Sequence, residues 1–461
     1  YYMLLHTICS FTPGRLLKSS GIFLNLICMY INLFLLYKLS LKIFEKEASA
    51  DHLALAATAV YAFSCFAVST VIYIRMYMLL TLLSVAYALC HVLLAGSEKK
   101  TGLSAVAALI LILGFLTQYY FIIAAFFISL AYFIYILTKK MWKVAAVYLA
   151  LMLAALLSSY IIFPHFIQQL GGNHNTYIKN LSSDFNMGIY RRLLRNFIAL
   201  VSNINYGFFG GRIYFAAAIF IILMIIVNKK PQKAELNAAA LRRADKLILV
   251  LCLVILLSCI SLLAVIWIPA ARYYYNLIPF ISIFMTYIVY RYISLLCQDK
   301  LRRKQLFAAC LAIYLGFNCF GYLSSVQAGA VNKTTSNFKG TFPVDYLYLP
   351  QKNVDKFLKN NSGTACLFIT DYKNAAVTQD IYELMQCRQL YICPKEGIFK
   401  GVNYLSAKKD NLLIIDVGSG LWGSDYNESE VLDELKAYGF EAVELLYEKE
   451  LTKAYIVRFK Q

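Results

Sequence analysis

The residues between His52 and Ser97 constrain the fold more than any other part of this chain. They contain no Lys, Asp or Glu, and Arg75, near their middle, is their only formal charge. A bilayer core of about 30 Å takes roughly 20 helical residues, so this run is too long for one crossing and fits two. A charge at the centre of a span costs at least ~2.5 kcal/mol. We therefore expect two spans, 53–74 and 76–95, that meet at Arg75 on one membrane face.

The same pattern recurs along residues 1–325, and 60% of the 461 residues are hydrophobic. Residues 101–138 predict two spans with a turn at 117–120. Residues 247–269 and 273–290 predict another pair, whose only charge is Arg272. Single crossings are expected at 16–41, 144–163, 213–227 and 306–323. The sequence thus predicts a polytopic α-helical membrane protein with about ten transmembrane helices, and one more upstream, because Tyr1-Tyr2-Met3 reads as the middle of an element.

Residues 326–461 have a different composition. From Lys333 onwards there are 16 Lys/Arg and 17 Asp/Glu, whereas residues 1–332 carry 28 and 8. Strand patterns at 365–370, 390–393, 412–417, 442–447 and 454–459 alternate with helical patterns at 376–386 and 428–438. This order predicts a small C-terminal α/β domain. We therefore expect a transmembrane domain over 1–325 and a soluble domain over 326–461.

The basic residues of the membrane part indicate its orientation. Loops that begin at Lys38, Lys99, Lys139, Lys229 and Arg291 hold 19 of the 28 basic residues, and the positive-inside rule assigns them to the cytoplasm. The protein is then a multi-pass cell-membrane protein whose C-terminal domain is extracytoplasmic. Because the positive charge is divided among short loops, nucleic acid is not an expected partner, whereas membrane lipids are.

The two faces differ in the kind of basic residue. The cytoplasmic loops have 14 Lys and 5 Arg, but the outer face has 2 Lys and 7 Arg, including Arg75 and Arg272. Arginine presents a planar fork of donors that suits phosphate or carboxylate. The outer face therefore predicts an anionic ligand, and contact with lipid headgroups is the alternative.

Four segments resemble motifs of one family. Ile74-Arg75-Met76-Tyr77 resembles an "ARMY" segment, and Gly114-Phe115-Leu116-Thr117-Gln118-Tyr119-Tyr120 resembles a "GxxTHYY" turn with Gln118 at the usual His. Ala271-Arg272-Tyr273 with Pro279 resembles "RYxxPxxP", and Tyr1-Tyr2-Met3-Leu4-Leu5-His6 the end of "PPLYYLLLH". In order and spacing, these are similar to the bacterial polytopic glycosyltransferases of the GT-C class, the relatives of protein O-mannosyltransferases and aminoarabinose transferase.

The resemblance implies inverting transfer of a sugar from a polyprenyl-phosphate donor to an acceptor at the outer face, with a lipid, glycan or protein as acceptor. It implies a catalytic Asp in the first outer loop, upstream of Tyr1. Asp184, the one acid expected on the outer face, is the weak alternative. The sequence predicts no metal ligands and no certain cofactor, and it leaves a divalent metal ion open.

The candidate binding residues follow from the motifs and from residue chemistry. Arginines at fixed positions stabilise the charge of a departing phosphate, and tyrosines donate hydrogen bonds to phosphate or sugar. For any single tyrosine, anchoring at the membrane interface is the alternative role. The donor phosphate is assigned to Arg75, Arg272, Tyr77 and Tyr273, and the sugar or lipid to Gln118, Tyr119, Tyr120 and His165.

Two other functions fit the composition. A transporter or flippase for a lipid-linked anionic glycan would also have a basic outer cleft, but it is expected to show pairs of Gly/Pro-broken helices in repeated halves, and the sequence shows none. A non-catalytic receptor that binds through its tail is the third alternative.

Overall fold

The structure is a computed structural model, and it confirms a polytopic helical protein with a small C-terminal sheet domain. It describes residues 1–11, 17–47, 49–72, 74–97, 100–164, 189–214, 218, 221, 243–265, 271–297, 299–330, 352–361, 363–370, 387–393, 397–407, 409–416, 428–449 and 452–460. The chain divides into two compact units, one comprising Tyr1–Leu4 and Ile22–Val344, the other Leu5–Gly21 and Asp345–Gln461. The predicted division at 325/326 stays a prediction.

The first unit is helical. Its helices are α1 Tyr2–Ser10, α2 Leu17–Ile43, α3 Ala50–Ala62, α4 Cys65–Ile72, α5 Tyr77–Gly96, α6 Lys100–Thr117, α7 Phe121–Thr138, α8 Trp142–Ile162, α9 Ile189–Phe209, α10 Arg243–Val265, α11 Ile278–Leu296 and α12 Lys300–Ala330. Most of α1 and the first residues of α2 belong to the second unit. Within the described ranges, seven helices are long and apolar enough to cross a membrane, and the pair α3–α4 could form an eighth. Such uniformly apolar helices suit a lipid environment, so the protein is a multi-pass membrane protein.

The helices differ in how much of their surface other helices cover. In α5, 61% of the most apolar window is buried inside the protein, against 22% in α10 and 28% in α8. α5 packs against α6 and α7, and α6 against α8. The Arg75 turn therefore leads into the most buried of the seven long apolar helices, while α8 and α10 leave apolar side chains such as Leu157 and Leu256 exposed for contact with lipid.

The predicted span 53–74 is divided in the structure. α3 and α4 meet at Phe63 and Ser64 with a bend of 57°. The Ser64 hydroxyl donates to the carbonyl of Tyr61 (2.7 Å) and accepts from the N–H of Ala67 (3.2 Å), so it caps α4. Uniform hydropathy hid this break, because Phe63 and Ser64 carry no charge.

The other predicted spans whose residues the structure describes coincide with helices. The turn predicted at 117–120 separates α6 from α7, and the predicted crossing at 306–323 lies within the 31-residue helix α12. The predicted crossing at 213–227 falls almost wholly outside the described residues.

The second unit contains a five-stranded sheet of order β2-β1-β3-β5-β4. β1 is parallel to β2 and β3, while β5 is antiparallel to β3 and β4. The strands are β1 Ala365–Thr370, β2 Gln389–Cys393, β3 Asn411–Asp416, β4 Phe440–Lys449 and β5 Thr452–Phe459, and the helices are α13 Lys352–Asn360, α14 Ile398–Gly401 and α15 Glu428–Ala437. All five strand predictions are confirmed; the helical pattern at 376–386 lies outside the described residues.

Helices cover both faces of this sheet. Phe357 of α13 packs with Phe368 and Ile414 on one face, and Leu435 of α15 joins Ile415 on the other. Strands that are buried on both faces need nearly continuous apolar runs, as β1 and β3 have. The C-terminal residues thus form a sheet with an apolar core on each face.

Candidate functional site

The segment that carries Arg272 forms two short 3-10 turns directly before α11. These turns are Ala271–Tyr273 and Tyr275–Leu277, and a proline lies in the first turn of α11. Proline is favoured there because the first N–H of a helix needs no partner. The Arg272 guanidinium lies 5.4 Å from the centroid of the Tyr273 ring, within cation–π range. The turns therefore hold a half-buried arginine on an aromatic ring.

The turn between α6 and α7 brings two more tyrosines to this place. The rings of Tyr120 and Tyr273 pack edge to face with their centroids 5.1 Å apart, and the ring of Tyr119 is 4.4 Å from that of Tyr120. The Phe121 N–H donates to the Gln118 carbonyl at 2.9 Å, which closes the turn. The predicted "GxxTHYY"-like turn and the Arg272 segment are therefore in contact.

The Arg75 turn lies beside the same segment. Arg75 is half-buried between the end of α4 and the start of α5. Two residues further on, Tyr77 is 3% exposed and its ring packs edge to face on that of Tyr275, with centroids 5.8 Å apart. The ring of Tyr275 also contacts Phe66 of α4 at 5.6 Å. The two arginine-bearing turns are thus neighbours.

Asn25 of α2 holds the end of α4. Its side-chain amide donates to the carbonyls of Val71 (3.0 Å) and Thr70 (3.5 Å), and the residue is fully buried. The last carbonyls of a helix have no partner within the helix, so a side chain that supplies one fixes the chain as it leaves the helix. Asn25 therefore positions the Arg75 turn from a neighbouring helix.

The tyrosines at the α6–α7 turn are protonated at neutral pH. Burial raises the pKa of Tyr120, and its neighbours Tyr119, Tyr273 and Tyr77 raise it further because an added negative charge would be close to them. Burial also raises the pKa of Tyr119. The two hydroxyls are hydrogen-bonded to each other, so one of the pair can donate to an anion while the other donates to its neighbour.

The structure brings together most of the residues that the sequence singled out. Tyr77, Tyr119, Tyr120, Arg272 and Tyr273 belong to one set of contacting turns, and Arg75 and Gln118 lie in those same turns. We call this set the tyrosine–arginine cluster. The sequence-predicted candidates that lie outside the described residues are His165 and Asp184.

Sequence reasoning missed three residues at this place: Asn25, Phe66 and Tyr275. An asparagine inside an apolar span was a signal for Asn25, because a polar side chain in a membrane needs a partner. Phe66 and Tyr275 offered no signal, since each is one aromatic residue among many. In the part of the chain that the structure describes, no three His, Cys, Asp or Glu side chains are grouped closely enough to hold a metal ion.

Comparison with known proteins gives one match of fold. No family model matches the sequence, and no curated protein matches it. The crystal structure of ArnT from Cupriavidus metallidurans bound to undecaprenyl phosphate matches with a TM-score of 0.51 and 8% identity. The match covers 95% of this chain and 84% of that one. The chain therefore has a fold like that of ArnT.

The similarity to ArnT extends over both units of the chain, since nearly its whole length is covered. It therefore confirms the fold that the four motifs implied. At this identity it does not assign residue roles, and those rest on the geometry of the tyrosine–arginine cluster.

Proposed function

We propose that this protein is a membrane glycosyltransferase that takes a sugar from a polyprenyl-phosphate donor and transfers it, with inversion, to an acceptor at the outer membrane face. The observation that carries the proposal is the convergence of three turns that place Arg272, Arg75 and four tyrosines together, in a fold like that of a protein solved with undecaprenyl phosphate. The C-terminal sheet domain would lie outside the cytoplasm.

The transfer reaction requires the cluster to stabilise the negative charge that develops on the departing phosphate. An acceptor oxygen or nitrogen attacks the anomeric carbon, the bond from that carbon to the phosphate oxygen breaks, and the bonding electrons stay on the phosphate. Arg272 and Arg75 would hold that phosphate, and one hydroxyl of the Tyr119–Tyr120 pair would donate to it or to the sugar. The acceptor's proton goes to a carboxylate base, for which the resemblance implies an Asp of the first outer loop, with Asp184 as the alternative.

The aromatic rings serve a second purpose in this proposal. Tyr77 and Tyr275 are nearly fully buried, so they support the two arginine turns and do not offer their faces to a ligand. Tyr119, Tyr120 and Tyr273 are half-buried and retain accessible surface. We therefore assign contact with sugar and isoprenoid to Tyr119 and Tyr120, together with Gln118 and His165. Tyr273 keeps its expected contact with the donor phosphate beside Arg272, whereas burial gives Tyr77 a supporting role in place of the expected phosphate contact.

The proposal is tested by measuring how much of the polyprenyl-phosphate donor is consumed. Membranes that contain the full chain should release undecaprenyl phosphate from one member of a panel of undecaprenyl-phosphate sugars. Removing one preorganised donor to a developing charge typically costs about 10²–10³ in rate, so Arg272→Ala and Arg75→Ala should each lose at least that much while the protein still accumulates. Arg302→Ala is the control, because Arg302 is exposed and pairs with Asp299. Wild-type release by both variants would refute the phosphate clamp.

One observation favours transport as a second candidate. The broken helix α3–α4 is the kind of discontinuous span from which transporters build their substrate sites. Within the described residues it is the only such pair, and a transporter built from repeats would carry a counterpart in its other half. Movement of labelled lipid across vesicles without release of free undecaprenyl phosphate would favour this candidate.

A further inference from the structure

An elongated apolar groove lies on another side of the membrane unit. Its cavity volume is about 160 Å³. The lining residues come from α3, the end of α9, α11 and α12, and they include Val60, Phe208, Thr286, Phe307, Ile313, Tyr314 and Phe317. The α12 residues from Phe307 to Phe317 recur every three or four positions, so the groove follows one face of that helix for about 15 Å. This shape suits a hydrocarbon chain.

The polar atoms along the groove are few. The Tyr314 hydroxyl donates to the Val60 carbonyl at 3.1 Å and is thereby occupied. Thr286 is 4% exposed, and its hydroxyl has no hydrogen-bond partner among the described residues. Inside the groove a charged head group would find only the neutral Thr286 hydroxyl among these two groups, so its place is at an end of the groove.

One end of the groove carries an arginine. The Arg212 guanidinium lies 5.8 Å from the ring centroid of Phe317, a lining residue. One of its terminal nitrogens donates to the carbonyls of Gly210 (3.0 Å) and Phe317 (3.4 Å). Two bonds from a group with five N–H donors leave donors for a ligand.

A turn at Gly210 and Gly211 positions Arg212 at this end of the groove. Gly210 and Gly211 both have positive φ, +57° and +82°, which glycine adopts without strain. A Cβ on Gly210 would meet the Phe317 carbonyl oxygen at 2.7 Å, so only glycine lets the turn approach α12 this closely. The Asn205 side chain accepts from the Ile213 N–H at 2.8 Å and closes the turn. Arg212 is therefore placed by the fold.

The groove is separate from the tyrosine–arginine cluster. None of the groove's lining residues belongs to the tyrosine–arginine cluster. The contacts of Arg212 with Gly210 and Phe317 involve no cluster residue either. The groove and Arg212 are therefore treated as a site distinct from the one assigned to Arg272.

We propose that this groove binds one acyl chain of an anionic phospholipid, with the lipid phosphate at Arg212. An arginine fork at the end of an apolar channel complements an anionic head and an apolar tail, and a charge-assisted hydrogen bond to phosphate is stronger than a neutral one. The site does not depend on the proposed transfer reaction, since it shares no residue with the tyrosine–arginine cluster.

The experiment is native mass spectrometry of the purified full chain, incubated separately with phosphatidylglycerol, phosphatidylcholine and undecaprenyl phosphate. Wild type should retain phosphatidylglycerol in preference to phosphatidylcholine. Arg212→Gln keeps donors for the two backbone carbonyls but removes the charge, and it should weaken phosphatidylglycerol binding about tenfold, the effect of losing one charged hydrogen bond. Ile313→Trp should do the same by filling the groove from a half-exposed position. Arg191→Gln, which changes an exposed arginine of α9, should leave binding unchanged.

Three outcomes would overturn the proposal. Equal retention of phosphatidylcholine would mean ordinary annular lipid. Unchanged phosphatidylglycerol binding by Arg212→Gln would remove the head-group contact. Arg212-dependent retention of undecaprenyl phosphate that displaces phosphatidylglycerol would assign the groove to a polyprenyl lipid instead. A full set of expected results would support it even if no sugar transfer were detected.

Discussion

Gly114 sets how closely α6 and α7 approach at the turn that carries Tyr119 and Tyr120. An added Cβ would meet three carbons of the Phe121 ring at 2.4, 2.5 and 2.6 Å. The ring cannot swing aside freely, because Phe121 is 1% exposed and packs edge to face on Tyr87 at 5.7 Å. Gly114→Ala must therefore displace the start of α7, and with it the tyrosine–arginine cluster.

The magnitude follows from two opposing effects. Overpacking of this kind costs about 1–3 kcal/mol. Replacing glycine by alanine inside a helix raises the free energy of unfolding by roughly 0.8–1 kcal/mol, because alanine has the higher helix propensity. We expect the clash to exceed the propensity gain, so Gly114→Ala should destabilise the protein by up to about 2 kcal/mol. Donor consumption should fall as well, because Tyr120 moves relative to Tyr273.

The same helix provides a matched control. A Cβ on Gly102 would meet nothing within 4 Å, so Gly102→Ala keeps the propensity gain without the clash. Thermal unfolding of the detergent-solubilised chain, followed by tryptophan fluorescence, should show a lower Tm for Gly114→Ala and an equal or higher Tm for Gly102→Ala. The double variant Gly114→Ala/Phe121→Leu should recover part of the loss. If both alanine variants raised Tm equally, the close contact would not exist in solution.

Two further predictions concern single hydrogen-bonding groups. Asn25→Leu leaves the buried carbonyls of Val71 and Thr70 without their partner, so it should cost about 1–3 kcal/mol and lower donor consumption, as measured by Tm and by release of undecaprenyl phosphate. In the C-terminal domain, the hydrogen bond from Arg458 lowers the pKa of Asp410. This pair therefore stabilises the folded state at pH values above the usual carboxyl pKa, and the stabilisation is lost as the pH falls below about 4. Asp410→Asn should remove that pH dependence, with an effect under about 1 kcal/mol because the Arg458 side chain is 56% exposed; pulse proteolysis of the full chain at pH 3 and pH 7 measures it.

The sequence was sufficient for features that depend on length and charge. The segment 101–138 is too long for one membrane span and too short for three, so it must contain two spans with a turn near its middle, at 117–120. The tail strands were predictable because buried strands need apolar runs of five or six residues, as 365–370 shows.

The sequence was insufficient where one side chain decides the geometry. The break at Ser64 depends on a hydroxyl that bonds backbone groups on both sides, and hydropathy does not register it. The contact between Tyr77 and Tyr275 joins residues 198 positions apart in the numbering, and no local pattern reports such a pair. The motifs indicated which turns matter, but only packing shows that they meet.

The position of β5 in the sheet has a consequence for how the tail is made. β5, residues 452–459, lies between β3 and β4 and pairs with both. Until these residues have been synthesised, β4 has no neighbour and one edge of β3 is open. The sheet can therefore be completed only after β5 has been synthesised, as one cooperative event. A stop codon before Thr452 would remove eight strand residues and leave β4 without a pairing partner in the sheet, a greater loss than its length suggests.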